Sequence, residues 1–339
     1  MMRPLICLIL LFSLGNSGLI AQTIQILHKD KDTSLRGLSV VDNSIAWVSG
    51  SKGWTALSRD GGLTWEWKQI KGYENLDFRD IEGFSDTKAI IVSAGTPAVI
   101  LLTDDSGQSW KEVYRNESKE IFLDGMDFWD IDRGIVYGDP IKGQLVLLES
   151  RDGGMSWQNI SAQNTIDLIN GEASFAASGT NIRTGKGGKV WIATGGVQSR
   201  LFRSNDYGLN WKANALPIIQ GKNSTGPFSI AFYKNKNGVA AGGDFLSDTS
   251  RVNNLVLTRN GGKDWNKPGI PLFGYRSAIE YLSKNKLLAS GPRGTDRSTD
   301  GGKTWMKLSD QGFHTVKKAK SGDLVLLTGG NGRIAIYQD

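Results

Sequence analysis

Three carboxylates stand in glycine-bearing turns: Asp139 in Gly138-Asp139-Pro140, Glu172 in Gly171-Glu172-Ala173 and Asp244 in Gly242-Gly243-Asp244. Two carboxyl groups facing each other across a cleft can act as general acid and base in glycoside cleavage, and their separation decides the stereochemistry. An Asp or Glu in a tight turn equally serves the turn, by accepting backbone N–H bonds. No catalytic role is therefore assigned, and Asp139, Glu172 and Asp244 are the candidates should the chain be an enzyme. Arg36, Arg79, Arg276 and Arg293 offer a different chemistry. A guanidinium presents a planar fork of donors that grips a carboxylate or phosphate in two places, although each arginine can equally be a solvated or locally paired loop residue. Metal and cofactor sites are not expected. The histidines are His28 and His314, and the one cysteine, Cys7, lies near the N-terminus, which leaves too few ligands for zinc or haem. Gly330-Asn331-Gly332-Arg333-Ile334-Ala335 fits a dinucleotide fingerprint in letters alone, because four residues later the chain ends and no helix follows. Neither a phosphate-binding loop nor a Gly-x-Ser-x-Gly elbow occurs.

What must position these residues is a repeat. Ser58-Arg59-Asp60-Gly61-Gly62-Leu63-Thr64-Trp65 returns, as S/T-x-D-x-G-x-x-W, at Thr103 to Trp110, Ser150 to Trp157, Ser204 to Trp211 and Ser298 to Trp305. Thr258 to Trp265 is a further copy with Asn260 in place of the aspartate. The tryptophans at 65, 110, 157, 211, 265 and 305 are spaced by 45, 47, 54, 54 and 40 residues. That period belongs to propellers and solenoids. Each copy follows a short apolar run, such as Val99-Ile100-Leu101-Leu102, and precedes a second one, such as Trp65 to Ile70. The phrase is therefore a hairpin turn. Its Asp accepts neighbouring amides, its Gly takes φ > 0, and its Trp opens the next strand with a large face to bury. Asn260 keeps the acceptor and tolerates left-handed backbone, so the variant copy still predicts a turn.

The phrase resembles the Asp-box (BNR) repeat of sialidases, some glycoside hydrolases, sortilin-type receptors and photosystem II assembly-factor-like propellers. That resemblance implies a structural role, away from the active face, for Asp60, Asp105, Asp152, Asp206, Asn260 and Asp300. The same holds for Trp65, Trp110, Trp157, Trp211, Trp265 and Trp305.

Met1-Met2-Arg3-Pro4, the apolar run Leu5 to Leu14 and the small-residue end at Ala21 read as a secretory signal peptide cleaved before Gln22, too short to span a membrane. Removing 21 of the 339 residues leaves 318, takes Cys7 away and lowers the formal charge from +6 to +5. The mature chain is thus expected to be exported to the periplasm or beyond, soluble, without disulfides and monomeric. A mild positive excess biases toward acidic partners and is no nucleic-acid signature, because no basic cluster interleaved with aromatics occurs. Lys317-Lys318-Ala319-Lys320 is the densest basic run and reads as a solvated strand or turn.

The period divides the mature chain into about seven units, one more than the visible boxes. Strand-like runs at His314–Lys317, Asp323–Leu327 and Arg333–Tyr337 lack a fourth partner, and Thr23 to Leu27 precedes the first unit unpaired. Joining the two ends closes a ring and removes an exposed edge. The predicted fold is all-β: one seven-bladed β-propeller over residues 22–339, four antiparallel strands per blade, closed by the N-terminal strand. Blade 1 is placed at Leu35–Val41, Ile45–Ser49, Trp54–Ser58 and Trp65–Ile70. Blades 4 and 5 begin at Ser174 and Pro227, with Asn181 to Lys189 and Phe245 to Asn254 as polar insertions. The apolar third strands run continuously rather than alternating, as expected when both faces are covered. No stretch shows a helical period.

In such a ring the boxes occupy one face, and the inter-blade loops and second-to-third-strand turns occupy the other. Arg36, Arg79, Asp124, Asp139, Glu172, Asp244, Arg276, Arg293 and His314 fall on that other face. Arg36, Arg79 and Arg276 take equivalent places just before an inner strand. A sialidase assignment fails, because there is no Arg-Ile-Pro phrase, the ring counts to seven, and spacing nominates no Tyr/Glu pair. The nearest overall resemblance is to the seven-bladed photosystem II stability/assembly-factor-like propellers, over essentially the whole mature chain. It implies a non-catalytic scaffold that holds a partner protein during membrane-complex assembly with an arginine-rich patch. By blade position that patch is Arg36, Arg79 and Arg276. The alternative is a glycan-active propeller, hydrolase or carbohydrate-binding protein. An aromatic-lined open groove would favour the glycan, and a basic cup a peptide or protein.

Overall fold

The computed structural model describes residues 23–164 and 166–339, and the predicted signal peptide at 1–21 lies outside them. Seven antiparallel sheets follow one another along the chain, with neighbouring inner strands in contact around a closed ring. Among the described residues there is no helix, and so none long and apolar enough to cross a membrane. Blade 1 comprises Leu35–Val40, Ala46–Gly50, Trp54–Ser58 and Glu66–Gln69, within one residue of the sequence expectation at most ends. The ring closes as predicted. Thr23–His28 lies antiparallel to Ile334–Gln338, with Ile24 opposite Tyr337 and Ile26 opposite Ala335, and completes blade 7 outside Thr315–Lys318 and Val325–Thr328.

The core lies between blades, where apolar faces of adjacent sheets meet. Ile90, Ile100 and Leu102 of blade 2 pack against Met126, Phe128 and Val136 of blade 3, all buried. Each such side chain stabilises the fold by roughly 1.5–3 kcal/mol through the apolar area it removes from water. Trp47 plugs the join of blades 1 and 2, where its indole N–H donates to Ser85 O at 2.7 Å.

The boxes are hydrogen-bond devices. Ser58 Oγ accepts from the Gly62 amide at 2.8 Å and donates to Asp60 Oδ1 at 2.9 Å. Asp60 in turn accepts from the amide of Thr64 at 2.9 Å and from its hydroxyl. Trp65 Nε1 then donates to Gly62 O, as Trp211 and Trp305 do to Gly208 and Gly302. In blade 2 the Ser109 hydroxyl and amide hold the Asp105 carboxyl down at about 2. The fifth copy is also a turn, with its polarity reversed: Asn260 Nδ2 donates to Asp264 Oδ2 at 2.7 Å, while Asn260 Oδ1 accepts the Asp264 amide at 3.0 Å. An aspartate at 264 where the other boxes carry a donor explains why 260 is an amide.

Four expectations are corrected. Asn181 to Lys189 is not an insertion, since it holds half of blade 4's inner strand, Ile182–Gly185, and its hairpin turn. The other half is Glu172–Ala173, and Ser174 to Asn181 leaves the sheet between them instead of starting it. Blade 5 has three strands, its fourth reduced to a bridge between Leu257 and Asn266. The 317–320 run is not simply solvated. Lys317 stands in the channel beside Asp80, where burial lowers its pKa, and Lys320 pairs with Glu82. Phe245 to Asn254 is the predicted loop, between Asn237–Asp244 and Leu255–Thr258.

Candidate functional site

The segment 174–181 crosses the central channel and touches blades all round it. Ala177 O accepts from Arg36 Nη1 at 2.8 Å and Ala176 O from Arg79 Nη1 at 3.4 Å. Ser178 Oγ donates to Ser277 O of blade 6 at 2.8 Å, and Thr180 Oγ1 donates to Ser229 Oγ of blade 5 at 2.6 Å. The amide of Ile230 donates to Thr180 O. Small residues are needed here. A Cβ on Gly179, which has φ 66°, would lie 2.3 Å from the carboxyl carbon of Asp80. The segment thereby separates a cup on the face opposite the boxes from a second cavity of about 350 Å³ on the box face, which the ion pairs Arg183–Glu280 and Lys320–Glu82 border.

The cup is a cavity of about 490 Å³. Arg36, Arg79, Asp124, Asp139 and His314 line it, so five of the nine residues expected on this face converge there. Arg36 is half-buried and, among the described residues, has no carboxylate in ion-pair range and a backbone carbonyl as its side-chain partner. Burial and the neighbouring Arg79 lower its pKa. Arg79 donates from Nε to Asp77 Oδ2 at 2.7 Å, and its Nη2 meets no acceptor among the described residues. His314 accepts or donates at Ser34 Oγ, 3.2 Å from Nε2, and burial with Arg36, Arg333 and Arg79 around it pushes its pKa down to about 3. The cup's cations are therefore the two arginines and not the histidine.

Its wall is aromatic, but the rings are turned on one another. Phe175 stacks on Phe228 at 3.9 Å, and Tyr275 and Phe245 meet Phe228 edge-on at 4.7 and 6.0 Å. Phe122 and the half-exposed Phe245 also line the cavity, so aromatic surface stands beside the two arginines that make this a basic cup.

The floor carries a buried carboxyl. Asp124 is 2% exposed, and neither oxygen meets a donor in hydrogen-bonding geometry, although the Ala176 amide leans toward it. Tyr137 Oη and Ser174 Oγ beside it lean toward each other and, among the described residues, meet no partner in hydrogen-bonding geometry. Burial first, and then Asp139, raise the Asp124 pKa well above the carboxylate range; burial also raises Asp139, against the Ser174 amide at 3.2 Å. A folded pKa raised above the unfolded one contributes stability that is full below the unfolded pKa and is lost as pH climbs through the folded one. Asp80, lifted to about 7 chiefly by burial, acts in the same direction. His314 acts oppositely, losing stability as pH falls from 6.5 toward about 3. Asp124→Asn, which deletes no hydrogen bond, is thus expected to raise unfolding free energy near pH 8 by roughly 1–3 kcal/mol and to flatten its fall between pH 5 and 8 in urea titrations. Equal pH profiles for the two proteins would show that Asp124 is charged in the fold.

The remaining expected residues stand elsewhere. Arg276 is not at the mouth. It is fully buried, donating to Asp296 Oδ2 and Oδ1 at 2.9 and 2.8 Å and to Tyr275 O at 2.9 Å, which removes it from the patch. Arg293 is exposed but paired to Asp248 at 2.9 Å. Glu172 is locked by Arg200, whose Nε lies 2.9 and 3.1 Å from its two oxygens, and by the Thr194 hydroxyl. Asp244 is buried and caps the amide of Leu246 at 3.0 Å, with Lys222 at 3.7 Å. Glu172 and Asp244 therefore do not join Asp139 across the cup, and the carboxyl that does is Asp124. Among the described residues no group of three or more His, Cys, Asp or Glu is placed to hold a metal ion.

These features define a seven-bladed Asp-box β-propeller with a basic cup opposite its boxes. The family model for "Photosynthesis system II assembly factor YCF48" matches residues 20–119, which hold blades 1 and 2. The rice (Oryza sativa subsp. japonica) protein "Photosystem II stability/assembly factor HCF136, chloroplastic" is 22% identical over 290 residues, 78% of this chain and 68% of that one. Two solved structures share the fold. "YCF48 bound to D1 peptide" has a TM-score of 0.67 and 16% identity, covering 95% of this chain and 96% of that one. "YCF48 from Cyanidioschyzon merolae" has a TM-score of 0.64 and 15% identity, covering 93% and 98%. The chain is a propeller resembling the photosystem II assembly factors.

Proposed function

We propose that this protein is a non-catalytic scaffold whose cup holds a short acidic segment of a partner protein. The observation that carries this reading is Arg36, a half-buried guanidinium at the cup whose partner among the described residues is a single carbonyl, beside Arg79, whose Nη2 meets no acceptor among them. A partner carboxylate there exchanges neutral acceptors for a charge-assisted pair in a partly desolvated setting, where such bonds are strongest. The similar propeller solved with a D1 peptide supports a peptide as the ligand class. Export belongs to the same reading, on the basic start and apolar run of residues 1–21.

The test is geometric. A photo-reactive benzoylphenylalanine is placed at Phe122, on the cup, or at Gln108, in the exposed box turn of blade 2. Each protein is irradiated with a biotinylated twelve-residue peptide bearing three aspartates. Cross-linking from position 122 and not 108 is expected; the reverse would place the acidic ligand on the box face and defeat the reading.

A further inference from the structure

The cup has one apolar shore. Ile169, Val197, Phe245, Leu246 and Val252 are exposed aliphatic or aromatic side chains on the cup's face, and all belong to loops of blades 3 to 5. Scattered exposed aliphatics are ordinary, but several gathered on the loops that border a site offer an interaction surface. On the box face, Leu63, Met155 and Leu209 stand one each in boxes of blades 1, 3 and 4.

The shore is also held in place. Val197 N donates to Gly171 O at 3.0 Å, Gly221 N to Gly196 O at 2.9 Å, Phe245 N to Ser224 O at 3.2 Å and Ile219 N to Asn253 O at 2.8 Å. Asp244 accepts the Leu246 amide, and Asp248 is tied to Arg293 through its carboxylate and to Tyr275 N through its carbonyl. Leu246 is thus kept 78% exposed on a braced turn, while Phe245 next to it lies 46% exposed against Phe228 in the cup wall. Ordering of this kind presents apolar surface without the entropy cost of fixing a loose loop on binding.

Resting on the acidic-segment reading, we infer that the partner segment is amphipathic, with aliphatic side chains beside its carboxylates that lie on the Val197–Phe245–Leu246–Val252 shore. The shore meets the cup at Phe245, which lines the cavity, and the cup's charge selects the acidic part while the shore selects the apolar part.

Two fluorescent peptides test it on the full chain: Gly-Leu-Leu-Gly-Asp-Asp-Gly-Leu-Leu-Gly and the same peptide with serine for every leucine. Wild type is expected to bind the leucine peptide roughly tenfold more tightly. Leu246→Ser/Val252→Ser should bring the ratio to within about twofold and leave the serine-peptide affinity unchanged; both sites are exposed, and an unaltered thermal midpoint checks the fold. Equal affinities in wild type, or a ratio that survives in the variant, overturn the shore while leaving the cup standing. Failure of both peptides to bind overturns the cup reading and the shore with it. Shore-dependent binding to neutral phosphatidylcholine vesicles without peptide discrimination overturns it in favour of a membrane surface.

Discussion

Asp296→Ala is expected to lower the unfolding free energy by about 3–5 kcal/mol, read as a shift of the urea midpoint at constant slope. Both Arg276 and Asp296 have side chains with no exposed surface, and the guanidinium is gripped at two points. Removing the carboxylate leaves a buried cation that neither sheds its proton nor reaches water, and also strands the Phe273 amide, which donates to Asp296 at 2.9 Å. Against a total of about 5–15 kcal/mol for a typical domain, that is a large fraction. The double variant Arg276→Met/Asp296→Leu removes both charges and is expected to recover most of the loss, because a buried pair and a well-packed apolar pair are close in free energy. A change under about 1 kcal/mol in the single variant would mean that water reaches Arg276 and would reopen its place in the partner patch.

The second large effect concerns closure. A chain begun at Lys29 lacks the strand Thr23–His28 and leaves Ile334–Gln338 as an open edge. It also loses Ile24, Ile26 and Leu27, which pack against the blade 7 cores. We expect a loss on the order of 5 kcal/mol from ladder bonds and apolar burial, together with concentration-dependent aggregation through the bared edge. Adding the peptide Thr23–His28 in trans should slow the aggregation. Unchanged stability of the shortened chain would show that the ring does not depend on this strand.

The sequence carried the ring more clearly than the cup. Box spacing, the apolar third strands and the unpaired Thr23–Leu27 are local signals, and counting them placed most strands within a residue or two. Blade position also identified which end of an inner strand Arg36, Arg79, Asp124 and His314 occupy, and the cup gathers all four. It could not tell which of them already had a partner. Arg276 is the clearest case, since its counter-ion lies twenty residues on, and pairing of that kind is set by packing. A signal existed in Gly294-Thr295-Asp296-Arg297-Ser298, where a charge interrupts a strand slot that is apolar in other blades. The sequence expectation starts blade 4 at Ser174, whereas the uncharged segment 174–181 crosses the channel instead. Such a run suits a lumen as well as a sheet, and the long blade 4 step was the hint that residues were to spare.

The measurement closest to the central claim is the affinity of a fluorescent triple-aspartate peptide for wild type, Arg36→Gln/Arg79→Gln and Arg293→Gln, at two salt concentrations. The double variant is expected to lose affinity on the order of a hundredfold, from two charge-assisted contacts, and to show a weaker salt dependence for whatever binding remains. Arg293→Gln, which changes a residue on the rim paired to Asp248, should stay within a few-fold of wild type. Equal affinity of wild type and the double variant would contradict the account, since the acidic ligand would then be held somewhere other than the two guanidiniums at the channel mouth.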